Sequence, residues 1–381
     1  MTRPDVLALL AKAVSFPTVS AASNLGMIAW LEELLAPRGF ACTRLASADG
    51  AKCGLVARLG PNVEGGLLLA AHTDVVPAEG QSWASDPFVM SQRGTRLFGR
   101  GTADMKGFLA CALAAALDAA EAPRTRPLTL VFSYDEEVGC TGVRDMLPRL
   151  APLLGKPALC LVGEPTLLTP ATGHKGKVVY EMLAQGAPGH SAMAPLYCNA
   201  LHIAADAVSI IRNAQARLRQ SGARDTDYQV PYSTLHVGAL SGGGPVNLVP
   251  HAARLVFECR HLPGDDVDAI IAGIESEVGE AVAALKHPAA GVTFNRLNAY
   301  PGFAIAAHSP AVQAVAQSTG SNSTLKVDYG TEAGYYASLG IATVVCGPGS
   351  MAQGHQPDEF IELEQLQLGE AWLSRLIAQF A

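Results

Sequence analysis

Five short segments of this 381-residue chain hold most of its reactive side chains, and each stands just past an apolar run. His72-Thr73-Asp74 follows Leu67 to Ala71. An imidazole at a strand's C-terminal edge faces the crevice where open α/β sheets bind ligands. A carboxylate two residues on can accept the other ring N–H and fix the tautomer. The loop Gly99-Arg100-Gly101-Thr102-Ala103-Asp104-Met105-Lys106-Gly107 sets Asp104 before a helix. Asp in that place is commonly an N-cap, but the glycine density favours a ligand. Asp135-Glu136-Glu137 follows Leu128 to Tyr134. Three adjacent carboxylates repel unless cations compensate them, and neighbouring glutamates suit a division between holding a metal and moving a proton. Glu164, in Gly163-Glu164-Pro165-Thr166, and His355, in Gly354-His355-Gln356-Pro357-Asp358-Glu359, come after two further apolar runs. Two histidines and three or four carboxylates fit two Zn²⁺-like ions joined by a bridging carboxylate, with room for water. The set carries this reading; no one segment does.

The elements that must position these groups alternate. Val6, Leu9, Leu10, Ile28, Leu31, Leu34 and Leu35 recur at helical spacing, and Gly39 stands where a helix C-cap belongs. Leu55 to Leu59 and Leu67 to Ala71 flank Gly60-Pro61-Asn62 and predict a strand pair. Met105 to Ala122 predicts a buried helix, and the uniformly apolar Leu128 to Tyr134 and Ala158 to Val162 predict strands covered on both faces. This alternation implies an α/β fold with a mainly parallel sheet. After residue 173 the order becomes β-α-β-β-α-β: strands 177–184, 233–240, 252–260 and 292–297, with helices 199–220 and 265–285. That is the order of a ferredoxin-like sandwich. The expected organisation is a first catalytic part at 1–173, an inserted lid at 174–297 and a second catalytic part at 298–381.

Composition narrows the function classes. Hydrophobic residues make up 49% of the chain and charged residues 16%, enough for a large core and unlike a disordered chain. The net charge of −7, without Lys/Arg blocks, argues against nucleic acid. Phe108 to Ala120 is the most apolar stretch, yet it contains Asp118 and is short of the roughly 20 residues of a span, so no membrane association is expected. The N-terminus shows no secretory signal, and the eight cysteines form no CxxC pair. Reduced thiols and a cytoplasmic location are expected.

The segments HTDVVP, GRGTADMKG, DEE, GEPT and GPGSMAQGHQPDEF, in this order, resemble the M20 family of dinuclear metallohydrolases. The resemblance covers nearly the whole chain, lid included, and is strongest towards deacylases of N-acyl amino acids. It implies Asp104 as the carboxylate shared by both metals, His72 and Glu164 at one site, and Glu137 and His355 at the other. It implies Glu136 as general base and acid, Asp74 as the residue orienting His72, and His190 as an oxyanion donor reaching a neighbouring subunit's site. The expected reaction is amide hydrolysis, with N2-acetyl-L-ornithine as substrate, two Zn²⁺ (or Co²⁺) ions, and a homodimer formed through the lid. Desuccinylation or glutamate release are the alternatives within the family, and a non-catalytic binding homologue is the alternative outside it. For the substrate α-carboxylate, Arg260 is the first candidate, since a guanidinium can bind bidentately; Asn247 and Lys175 follow. Glu332 is the candidate for the ornithine ammonium. Turn formation or ion pairing would account for Asn247 and Arg260 equally well.

Overall fold

The computed structural model describes residues 3–20 and 22–381. Met1 and Thr2, which begin the stretch read for a leader, lie outside the described residues. Two compact units result: Met1–Gly173 with Phe303–Lys326 and Thr331–Ala381, and His174–Gly302 with Val327–Gly330.

The first unit is built on a twisted sheet. Its early strands are β1 (Ala41–Ala46), β2 (Cys53–Leu59), β3 (Leu67–His72), β4 (Leu128–Ser133), β5 (Leu159–Val162) and β6 (Ala171–His174). They run in the order β1-β2-β4-β3-β5, followed by Thr343–Val345, β6 and Phe303–Ala304. The pairs β4/β3, β3/β5 and β5 with Thr343–Val345 are parallel, whereas the pairs flanking them are antiparallel. β3, β4 and β5 are buried along their whole length, as strands covered on both faces must be.

One expectation from the sequence is corrected here. β2 and β3 do not pair; β4 inserts between them, antiparallel to β2 and parallel to β3. Two apolar runs around a Gly-Pro-Asn turn look like a hairpin locally, but the non-local strand β4 pairs with both.

The helices of this unit are α1 (Val6–Val14), α2 (Leu25–Leu35), α3 (Lys106–Ala119) and α4 (Thr141–Leu154), with Pro310–Thr319, Ala333–Ser338 and Leu363–Gln379 returning late in the chain. α3 is buried on every side from Lys106 to Leu117, which explains its run of alanines. It packs against α1 and Leu363–Gln379. Gly39 takes the left-handed conformation of a C-cap, with φ of 87°. α4 carries Pro148 and Pro152 inside a helix and buries Val143, Met146, Leu150 and Leu154 along one face.

The second unit has four antiparallel strands, β7 (Gly176–Gln185), β8 (Thr234–Gly242), β9 (Ala252–His261) and β10 (Gly291–Tyr300). Their order is β8-β9-β7-β10. With α5 (Ala200–Ser221) and α6 (Val267–Ala284) contributing to one shared core, this is the ferredoxin-like arrangement. β10 runs to Tyr300 rather than ending at Leu297.

Among the described residues no helix is long and apolar enough to cross a membrane. All eight cysteines are free thiols, seven of them buried.

Candidate metal centre

The ends of β3, β4 and β5 deliver three of the five reactive segments to one edge of the sheet. His72 is the last residue of β3 and is 1% exposed. Glu164 stands two residues past β5 and is equally buried, at 2%. Gly163 is required before it, because a Cβ there would lie 2.0 Å from the Phe108 ring of α3. Asp104 ends the glycine loop, joined to Met105 by a cis peptide, and Gly101 within that loop has a φ of +83°.

Asp104 lies between two histidines. Its Oδ1 is 3.1 Å from His72 Nε2 and its Oδ2 is 3.2 Å from His355 Nε2. His72 Nε2 is also 3.9 Å from Glu164 Oε1, and His355 Nε2 is 2.9 Å from Glu137 Oε2. The ligand atoms of His72, Asp104 and Glu164 fall within 4.8 Å of one another, as do those of Asp104, Glu137 and His355. The two triads therefore share one carboxylate, the requirement for a bridged ion pair.

Asp74 holds the neighbouring loop. Its Oδ1 accepts the N–H of Glu136 at 3.0 Å, and its Oδ2 accepts the N–H of Glu137 at 3.2 Å and the Ser20 hydroxyl at 2.8 Å. His72 Nδ1 lies 2.9 Å from the Asp74 backbone carbonyl and 3.6 Å from its carboxylate. The ring is therefore oriented chiefly by the main chain of Asp74, and the carboxylate serves mainly the Glu136–Glu137 turn. That second task gave no signal in the sequence.

The electrostatics call for cations. Burial raises the Glu136 carboxyl well above its ordinary range, with Glu137, Asp104 and Asp74 adding to the rise. Burial and Asp104 also push Glu137 up to about 7 and Glu164 well up. Burial would raise Asp104 too, but His355 and His72 outweigh it and hold that group far below the usual range. His355, beside Asp104 and Glu137, is raised to about 10, and His72 rises despite its burial because Asp104 and Asp74 face it. Glu137 Oε1 is buried with no hydrogen-bond partner. An orphaned carboxylate oxygen within a crowd of acids fits a divalent ion held by nitrogen and oxygen donors.

The remaining candidates belong to neither triad. His190 is exposed on the second unit, where its Nδ1 accepts the N–H of Ala192 at 3.1 Å. Asn247 is exposed, and its carbonyl accepts the N–H of Ser191. Arg260 is half-buried, with Nε on Glu258 at 3.0 Å and Nη1 on the Tyr300 hydroxyl at 2.7 Å. Two of the expected substrate contacts are buried. Lys175 is 6% exposed, and its ammonium donates to the carbonyls of Val230 at 2.7 Å and Tyr232 at 2.6 Å, so it braces its own unit. Glu332 is 1% exposed, and burial pushes it up to about 7.

Residues 68–379 match the family described as Peptidase family M20/M25/M40. The acetylornithine deacetylase of Myxococcus xanthus is 33% identical over 385 residues, covering 100% of this chain and 98% of the relative. An M20 family metallo-carboxypeptidase from Sulfolobus solfataricus superposes with a TM-score of 0.78 at 19% identity, covering 99% of each chain. A dinuclear metal-binding M20 peptidase from Bacillus subtilis gives 0.70 at 14% identity, over 98% of this chain and 96% of that one. The match to the family over most of the length, with a full-length deacetylase relative, makes this chain a member of the M20 peptidase family and a metal-dependent amidohydrolase.

Proposed function

We propose that the protein removes the acyl group from an N-acyl amino acid, with N2-acetyl-L-ornithine as substrate and acetate and L-ornithine as products. The observation that carries this reading is Asp104 facing His72 through one oxygen and His355 through the other, with Glu136 on the adjoining turn. The full-length acetylornithine deacetylase relative supports the choice of substrate.

His72, Asp104 and Glu164 would hold one Zn²⁺ and Asp104, Glu137 and His355 the other, with Co²⁺ able to replace either. When bound, such ions lower the pKa of a water and polarise the acyl carbonyl. Glu136 takes the proton from the attacking water and returns it to the leaving amine. Its Oε1 accepts a hydrogen bond from the Cys140 thiol at 3.3 Å, and its peptide N–H is fixed by Asp74, so the carboxylate is held ready for that transfer. Arg260 and Asn247 are assigned to the substrate carboxylate.

The partner is a second copy of the chain, joined through the ferredoxin-like unit. β8 is an edge strand, and Leu240, Val246 and Leu248 are exposed on or beside it. His190 of one subunit would donate to the acyl oxygen in the other. Heterodimers of His190→Ala and Glu136→Gln subunits should then regain activity that neither parent shows.

The test of function is acetate release from N2-acetyl-L-ornithine by zinc-loaded and chelated protein. Metal-dependent release, faster than from N-acetylmethionine or succinyl-diaminopimelate, is expected. Preference for the succinyl substrate, or for a glutamate-terminated peptide, would overturn the substrate while leaving the reaction class intact.

A further inference from the structure

One buried carboxylate is a ligand in neither triad, yet it ties the Asp104 loop to the segment that carries His355. Glu359 is 1% exposed. Its Oε1 accepts the N–H groups of Ala103 at 2.9 Å and Asp104 at 3.1 Å. Its Oε2 accepts the N–H of Gly101 at 2.9 Å and Arg100 Nη1 at 2.8 Å. Its backbone carbonyl accepts the N–H of Gly99 at 2.9 Å. Donors spread along the whole Asp104 loop thus converge on one residue of the segment that carries His355.

Arg100, also 1% exposed, extends the clasp. It donates to the carbonyls of Gln356 and Pro77, each at 3.3 Å, and to Gln81 Oε1. Gln81 Nε2 in turn donates to the carbonyl of His355 at 3.0 Å. A buried ion pair is weak ground for stability by itself, since well-packed apolar side chains often replace one without loss. This pair has a geometric consequence instead. A shift of the Asp104 peptide would change the gap between Asp104 Oδ2 and His355 Nε2, because both loops hang from Glu359.

The buried triad shares Asp104 with the clasp, but its other two ligands are held independently of it. His72 and Glu164 are fixed by parallel strand pairing, where Gly163 N–H donates to the Ala70 carbonyl at 3.2 Å. His355 has a φ of 62° and a side chain 48% exposed, with no strand to hold it.

We propose that Glu359, backed by Arg100 and Gln81, is a positioning residue that sets the affinity of the Asp104–Glu137–His355 position for its metal ion. The inference rests on the metal-site reading given above. Groups that orient ligands from behind typically change metal affinity by about 10–100-fold when removed.

The test is a zinc titration of metal-free protein against a competing chromophoric chelator, with thermal melting run in parallel. Parent protein should show two binding steps, and the step abolished in His355→Ala identifies the position concerned. In Glu359→Gln that step should weaken about 10–100-fold, with the other step kept within about threefold. Gln81→Met, which leaves no charge unpaired, should move the same step in the same direction by less, and it decides the matter if Glu359→Gln does not fold. A lowered melting temperature with both affinities unchanged would reduce the clasp to a structural brace and overturn the inference. Equal weakening of both steps would overturn it too. If the parent itself takes up no zinc, the metal-site reading has failed, an outcome distinct from failure of the clasp.

Discussion

His72 and Glu164 project from the ends of two adjacent parallel strands and are almost wholly buried, whereas His355 rides on a loop with about half its side chain in solvent. Both contribute to triads around the same Asp104, but their rigidity has different sources. Backbone strand pairing is the main support of the first. The second needs Asp74 to hold the Glu136–Glu137 turn, and Arg100 with Glu359 to hold the His355 segment. A strand end is stiff because its backbone hydrogen bonds are already made; a loop is stiff only where buried acceptors collect its free N–H groups.

The comparison is tested most severely at the shared turn. Glu136→Gln should lower turnover by about 10²–10⁴-fold while both zinc-binding steps survive, because Glu136 belongs to neither triad. Loss of a binding step would place it among the ligands instead. Asp104→Ala should remove tight binding at both positions, while His355→Ala should spare the buried one. Metal analysis after dialysis would distinguish them, and equal losses in the two variants would erase the proposed difference between the triads.

A pH series sharpens the same contrast. In metal-free protein the Glu137 carboxyl is raised from 4.5 to about 7, so its proton is held more tightly folded than unfolded, and stability falls as pH rises through that interval. His355 is raised from 6.5 to about 10; its stabilising charge is fully present below 6.5 and is lost as pH climbs through about 10. Both trends lower the melting temperature of metal-free protein with rising pH. Ion binding requires both groups deprotonated, so the zinc-induced gain in melting temperature should widen between about pH 6 and about pH 8.5. A constant gain would mean that neither group meets the ion.

The smallest effect belongs to Lys175. Lys175→Met should cost about 1–2 kcal/mol of stability, through lost bonds to the Val230 and Tyr232 carbonyls, and leave KM within about twofold. A large rise in KM would restore it as a substrate contact.

What could be read from the sequence follows the same division. Apolar runs ending in His72, Asp135 and Glu164 announced strands and put reactive groups at their ends, since both the run and the motif are local. The β2–β3 pairing misled because the intervening β4 comes from more than 50 residues downstream of β3. Glu332 and Lys175 looked like available charges, and only the packing around them reveals burial. Glu359 lay in view within HQPDEF, yet its partners at Gly101, Ala103 and Asp104 are more than 250 residues away, beyond any local pattern.

The most direct measurement is anomalous diffraction from zinc-soaked crystals at the metal's absorption edge. The account predicts two peaks about 3.5–4 Å apart, one on each side of the Asp104 carboxylate, one beside His72 and Glu164 and the other beside Glu137 and His355. A single peak, or peaks that leave Asp104 bound to one ion only, would contradict it.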